Sequence, residues 1–128
     1  MKICFDNEIF WTQKFGAISS RYFYNLIKTL SNNNNLDVKV FAKFYLNEKL
    51  DDLSKKIVKG NRIKFKLPFT GIIFKKINSF FLDDKIKLYQ PDIIHKTYYS
   101  NHLKNKNKSK VVLTVFDLWH EKNSKIFY

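Results

Sequence analysis

Short apolar runs of strand type alternate with longer stretches at helical spacing along this chain, and that order constrains the fold more than any other feature. Residues 2–5, KICF, form an apolar run that ends at Asp6 and Asn7, the pattern of a buried strand reaching a loop. The loop is expected to continue through "EIFWTQKFGAISS". From Arg21 the pattern turns helical, with Tyr22, Phe23, Leu26, Ile27 and Leu30 on one face until "SNNNN" stops it. Leu36, Val38, Val40, Ala42 and Phe44 then alternate with Asp37, Lys39, Phe41 and Lys43, predicting a strand with one side partly exposed. "RIKFKLPF" alternates again and predicts a third strand with Arg62, Lys64 and Lys66 on its polar face. Between Phe69 and Tyr89 the spacing of Ile73, Phe74, Ile77, Phe80 and Phe81 predicts a helix, or two helices broken near Asp83 and Asp84, with Pro91 marking the end. "DIIH" and "VVLTV" read as two further strands, the second covered on both faces. The lysine-rich "KNKNKSK" between them is a solvated loop, and "DLWHEKNSKIFY" begins another helix.

Strands separated by helices imply crossover connections and a parallel sheet, and in such sheets ligands sit beyond the carboxyl ends of the strands. Three segments follow predicted strands and are therefore expected to share one rim: Asp6–Ile18, His95–Tyr99 and Phe116–His120. The stretch "PDIIHKTYYS" is the most pointed of these. It sets one of only three histidines where an apolar run gives way to threonine and two tyrosines. His95 could hydrogen-bond a hydroxyl or a sugar ring while Tyr98 and Tyr99 offer faces for stacking; equally, loop backbone could satisfy the histidine and the tyrosines could pack on the rim.

Length and charge narrow the classes. A chain of 128 residues has room for one domain, and 45% apolar residues with 13 Phe supply a core. The formal charge of +13 favours anionic partners: nucleic acid, an anionic membrane face or phosphorylated small molecules. Cys4, alone and flanked by Ile3 and Phe5, reads as a buried small hydrophobe; it excludes an internal disulfide and fits a reducing, cytoplasmic setting. Neither a signal peptide nor a membrane-spanning run is expected, and the residues call for no cofactor and no metal.

"MKICFDNEIFWTQKFGAISSRYFYNLIKTL", "PDIIHKTYYS" and "VVLTVFDLWHEK" resemble, in that order, the N-terminal half of bacterial retaining glycosyltransferases of the GT-B fold, family 4. In that family the first strand leads into a glycine-containing loop and an "S-R-Y-F-Y-N-L" helix. A later strand ends in "D-I-x-H-x-T-Y-Y", and the next in "V-T-V-x-D" with an acidic "H-E" downstream. The resemblance implies an α/β fold with a Rossmann-like parallel sheet and helices on both faces, an incomplete N-terminal half of a GT-B enzyme. Residues 1–128 would form a single, truncated domain on the acceptor side. The family's donor-side E-x7-E motif does not occur in these 128 residues, so the nucleotide-sugar donor would be a partner only with a C-terminal domain, and the isolated chain is not expected to be catalytically competent.

By the same resemblance, Asp117 is the catalytic candidate. His95, Thr97, Tyr98, Tyr99, His120 and Glu121 are acceptor-binding candidates, for a saccharide or lipid-linked acceptor. Gly16, Ala17 and Arg21 are phosphate-binding candidates, a turn glycine and helix N-terminus being suited to anions. Ala17 stands where the family more often has a second glycine, and Phe116 where many members have histidine. Nearer to elementary chemistry, Gly16 need only permit a turn, Ser19 or Ser20 cap the helix, and Asp117 cap another. "FTGIIFKKINSFFL" can lie on the sheet or, lysines toward headgroups, on an anionic membrane at the inner face of the cell. The rival readings are a basic module for anionic membrane or nucleic acid, without specific nucleic-acid recognition, and a gene fragment without function. An incomplete sheet edge would favour self-association.

Overall fold

The structure is a computed structural model that describes residues 1–12, 17–64, 70–99 and 108–116. Its elements in chain order are β1 (Lys2–Phe5), α1 (Glu8–Thr12), α2 (Ile18–Ser31), β2 (Asp37–Tyr45), a 3₁₀ turn (Glu48–Asp52), β3 (Val58–Arg62), α3 (Gly71–Tyr89), β4 (Ile93–Lys96) and β5 (Lys110–Leu113). The five strands form one sheet in the order β3-β2-β1-β4-β5. All the neighbouring pairs are parallel, with Ile3 beside both Val38 and Ile93 and with His95 beside Val112. This is the expected α/β architecture with a Rossmann-like sheet.

Alternation along β1 divides the core into two layers. Ile3 and Phe5 point to one face, where Phe23 and Ile27 of α2 pack on them together with Val38, Val40 and Ile93. Cys4 points to the other, where it meets Leu82 and Ile86 of α3 with Phe41 and Ile94. Helices thus cover both faces of β1, whose Cys4 and Phe5 are wholly buried. Burial raises the Cys4 thiol to about 12, with the nearby Asp6 adding to the effect, so this cysteine is a core residue as its neighbours suggest.

Three local outcomes differ from the periodicity, and one alternative it left open, between one helix and two, is decided. Residues 8–12, which by pattern continue the loop, form the short helix α1, because Asp6 Oδ1 accepts the Glu8 N–H at 3.3 Å and starts a turn whose Ile9, Phe10 and Trp11 are buried. Helix α2 begins at Ile18, ahead of the expected start at Arg21. Asp83 and Asp84 do not break α3, which runs unbroken for 19 residues; Asp84 is exposed and lies 3.5 Å from Lys85. The third strand begins at Val58, ahead of the expected "RIKFKLPF"; its described part ends at Arg62, Ile63 N–H still donates to Tyr45 O at 2.8 Å, and residues 65–69 lie outside the described residues. The expected helix at 117–128 also lies outside them.

The displacement of β3 has a steric origin. The β2–β3 register shifts between Phe41 and Phe44, and this bulge leaves both Lys43 and Phe44 on the α3 side: Lys43 Nζ sits 5.5 Å from the Phe81 ring centre and Phe44 packs on Phe74 at 5.0 Å. Asn78 of α3, 1% exposed, satisfies the loosened backbone, accepting from Phe44 N at 2.8 Å and donating to Phe44 O at 2.9 Å. Opposite, Gly60 adopts φ +152°, and a Cβ there would overlap the Ala42 carbonyl oxygen. Only glycine allows the two backbones this approach. Gly60→Ala is therefore expected to destabilise the protein by at least about 2 kcal/mol, lowering the midpoint of a urea or thermal melt; an unchanged midpoint would refute this account of the β2–β3 junction.

Candidate functional site

The chain runs outward from β1 to β2 and β3, then returns across the sheet to place β4 on the other side of β1. The reversal makes the carboxyl ends of β1 and β4 the switch point of the sheet, the place where open α/β sheets form a crevice that receives ligands. Two of the three expected rim segments meet there directly, and Phe116 of the third joins them.

Asp6, the residue after β1, is 4% exposed. Its Oδ1 accepts the Thr97 N–H at 3.0 Å, the Thr97 hydroxyl and the Glu8 N–H. The Thr97 hydroxyl in turn accepts the Ile9 N–H at 3.1 Å. One carboxylate thereby joins the end of β1, the start of α1 and the end of β4. Burial raises the Asp6 carboxyl to about 6, against the opposing pull of the Thr97 and Glu8 hydrogen bonds.

His95 belongs to β4 and is 8% exposed. Its ring stacks on Phe5 at 5.1 Å and meets the edge of Phe23 at 5.4 Å, while Nε2 lies 2.9 Å from Thr114 Oγ1 beyond β5. Desolvation by these aromatic neighbours lowers its pKa from the ordinary value, which favours the neutral ring. Above this polar floor stand exposed aromatics. Tyr98 and Tyr99 lie 5.4 Å apart, and Phe116 packs edge-on against Tyr22 at 5.5 Å. The Tyr99 hydroxyl accepts the Phe116 N–H at 3.2 Å, linking the two rim segments.

The sequence candidates divide accordingly. His95, Thr97, Tyr98 and Tyr99 come together at the crevice. Thr97 is 3% exposed and its hydroxyl is engaged by Asp6 and Ile9, so it fixes the rim from beneath. Ala17 occupies the N-cap of α2 without a side-chain cap, and Arg21 is exposed in the first turn of that helix. The Ser20 hydroxyl donates to Ala17 O at 3.1 Å and caps no N–H. Gly16, Asp117, His120 and Glu121 lie outside the described residues. Asp6, which opens the first expected rim segment, and Thr114 join the site although neither is among the candidate site residues read from the sequence. The signal for Asp6 is its place directly after the first strand; Thr114 is marked only by its place at the end of the last predicted strand, and its partner is 19 residues away.

Among the described residues no group of three His, Cys, Asp or Glu side chains is placed to hold a metal ion. Compared with known proteins, the chain matches no family model, no curated protein and no solved structure.

The two titrating groups oppose each other. Asp6 holds a proton more readily folded than unfolded, so its contribution to stability is full below pH 3.8 and is lost as pH rises through about 6. His95 resists protonation in the fold, so its contribution is present above pH 6.5 and is lost as pH falls below that value. A pKa that differs by one between the folded and unfolded chain corresponds to about 1.4 kcal/mol. In thermal melts, wild type is expected to lose stability relative to Asp6→Asn as pH rises from about 4 to 6. Parallel profiles for the two proteins would refute the assignment.

Proposed function

We propose that the crevice between β1 and β4 is the acceptor side of a sugar-transferring enzyme, the part of a retaining GT-B glycosyltransferase that receives a hydroxyl-bearing acceptor. The observation that carries this reading is the pairing of a polar floor, the buried Asp6 and His95 with the half-buried Thr114, with an exposed aromatic rim, Tyr98, Tyr99 and Phe116, at the switch point of the sheet. Sugars present both apolar ring faces and hydroxyls, and this combination complements both. Each of the three sequence segments that resemble family 4 contributes residues here. In the complete enzyme a donor-side domain would hold the nucleotide sugar across the crevice. Transfer would draw on electrostatic stabilisation of the departing diphosphate, and the neutral imidazole of His95 would hydrogen-bond the acceptor hydroxyl. Asp6 acts as a positioning residue, holding the strand ends at fixed separation.

A panel of mono- and oligosaccharides titrated into the labelled protein is expected to shift NMR resonances of 95–99 and 114–116 selectively. Tyr98→Ala should weaken such binding about tenfold while leaving the melting temperature unchanged, since one exposed stacking contact contributes about 1 kcal/mol or more. Shifts confined to other surfaces, or none with any saccharide, would exclude the reading.

A second reading rests on α3. Ile72, Ile73, Phe80 and Leu88 are exposed on a helix that also exposes Lys75, Lys76 and Lys87. No helix among the described residues is long and apolar enough to cross a membrane. Such a surface suits peripheral contact with anionic lipid. Cosedimentation with phosphatidylserine vesicles should fall sharply for Ile73→Ser/Phe80→Ser; equal retention of the variant and wild type would rule out docking through this helix.

A further inference from the structure

We propose a second binding site, for a compact oligophosphate, in a hollow of about 610 Å³ between α3 and the β2–β3 edge of the sheet. It lies on the α3 face, away from the crevice between β1 and β4, and does not rest on the reading of that crevice. Five lysines line it: Lys39, Lys43, Lys55, Lys59 and Lys85.

The fold gathers these charges in one place. Lys39, Lys43 and Lys59 project to the same face, and the bulge in β2 aims Lys43 toward α3. Lys43 and Lys85 both stand over the Phe81 ring, at 5.5 and 5.3 Å from its centre. Lys59 Nζ is steered by the Lys55 carbonyl at 3.0 Å. Two carboxylates answer five ammonium groups: Asp37 pairs with Lys39 and Asp84 with Lys85. Lys43, Lys55 and Lys59 have no ion pair among the described residues. Like charges held around one concavity repel and raise its positive potential, a cost that a bound anion removes.

The chemistry of the lining selects the anion. Lysine binds phosphate as a point charge with rotatable donors, without the fork that arginine offers to carboxylates. Three ammoniums without a carboxylate match the three or four negative charges of a triphosphate, and the volume is that of a small-ligand site. A single-stranded nucleic acid would need cations strung along a track, whereas these surround one hollow. Because the Phe81 ring already carries two lysines, the phosphates are the principal recognition element. Free polyphosphate and the tail of a nucleotide share that chemistry.

Isothermal titration of the full chain in about 150 mM salt with inorganic tripolyphosphate and with ATP tests the site. Both are expected to bind, and Lys43→Gln/Lys59→Gln to weaken binding about tenfold or more. Lys28→Gln/Lys76→Gln, which removes the same charge elsewhere, should change it less than about twofold. Lys55→Gln, on the exposed rim and away from Phe81, guards against a packing defect and should also weaken binding; melting curves confirm that each variant folds. Binding of tripolyphosphate as tight as that of ATP, or tighter, would assign the site to free polyphosphate, and tighter binding of ATP would assign it to a nucleotide. Absence of binding, equal loss from both double variants, or tighter binding of a charge-matched oligothymidylate than of tripolyphosphate would overturn the proposal.

Discussion

Two parallel strands that are distant in sequence end side by side at the switch point, and beyond their backbone pairing the Asp6–Thr97 hydrogen bond network ties those ends together. A buried carboxylate without partners would be costly; here one oxygen receives two backbone N–H groups and a hydroxyl. The same network begins α1, whose Phe10 carbonyl accepts the N–H groups of Leu46 and Asn47 at the end of β2. Asp6 thus joins the ends of β1 and β4 directly, and the helix it starts reaches the end of β2 through its own backbone. The residual burial cost appears as the raised pKa of Asp6, which makes the protein's pH response a property of its site as well as of its fold.

The two faces of the sheet are organised differently. On the α2 side, Phe5, Phe23 and His95 form a contiguous aromatic layer that runs from the core to the rim, so the imidazole is positioned by packing and by Thr114 and not by a carboxylate. On the α3 side, the helix covers β1 and β2 but leaves the approach to β3 open, and lysines of β2, β3 and α3 collect there. Strand β5 is a third case. A run of valines and leucine suited to double coverage proves 38–41% exposed at Val111, Val112 and Leu113, because the strand takes the outer position in the described sheet.

Much of the fold is legible in the residues. The central strands and both long helices follow from apolar periodicity, and the rim can be anticipated because strand ends in a parallel sheet converge whatever the loops contain. Where periodicity misleads, a single close contact outweighs the local pattern. The alternation of "RIKFKLPF" places the strand's start at Arg62, but β3 already begins at Val58, where Gly60 admits the Ala42 carbonyl and Val58 fills the core. Residues 8–12 carry no strong helical period, yet Asp6 caps them into a turn and their apolar side chains are drawn inward.

By itself, then, the chain's pattern of apolar spacing determined an α/β protein with a parallel sheet, a buried Cys4 and a histidine at a strand end, since these depend on local periodicity and on the rules of crossover connection. Strand order, the bulge opposite Gly60, the burial of Asp6 and the partnership of His95 with Thr114 were decided only in three dimensions. The hydrogen bonds that tie the rim segments to one another join groups separated by 17 to 91 residues of chain. No window of neighbouring residues contains that information, because the energies involved arise from exclusion of water and from steric contact between segments that are adjacent only after the sheet has formed.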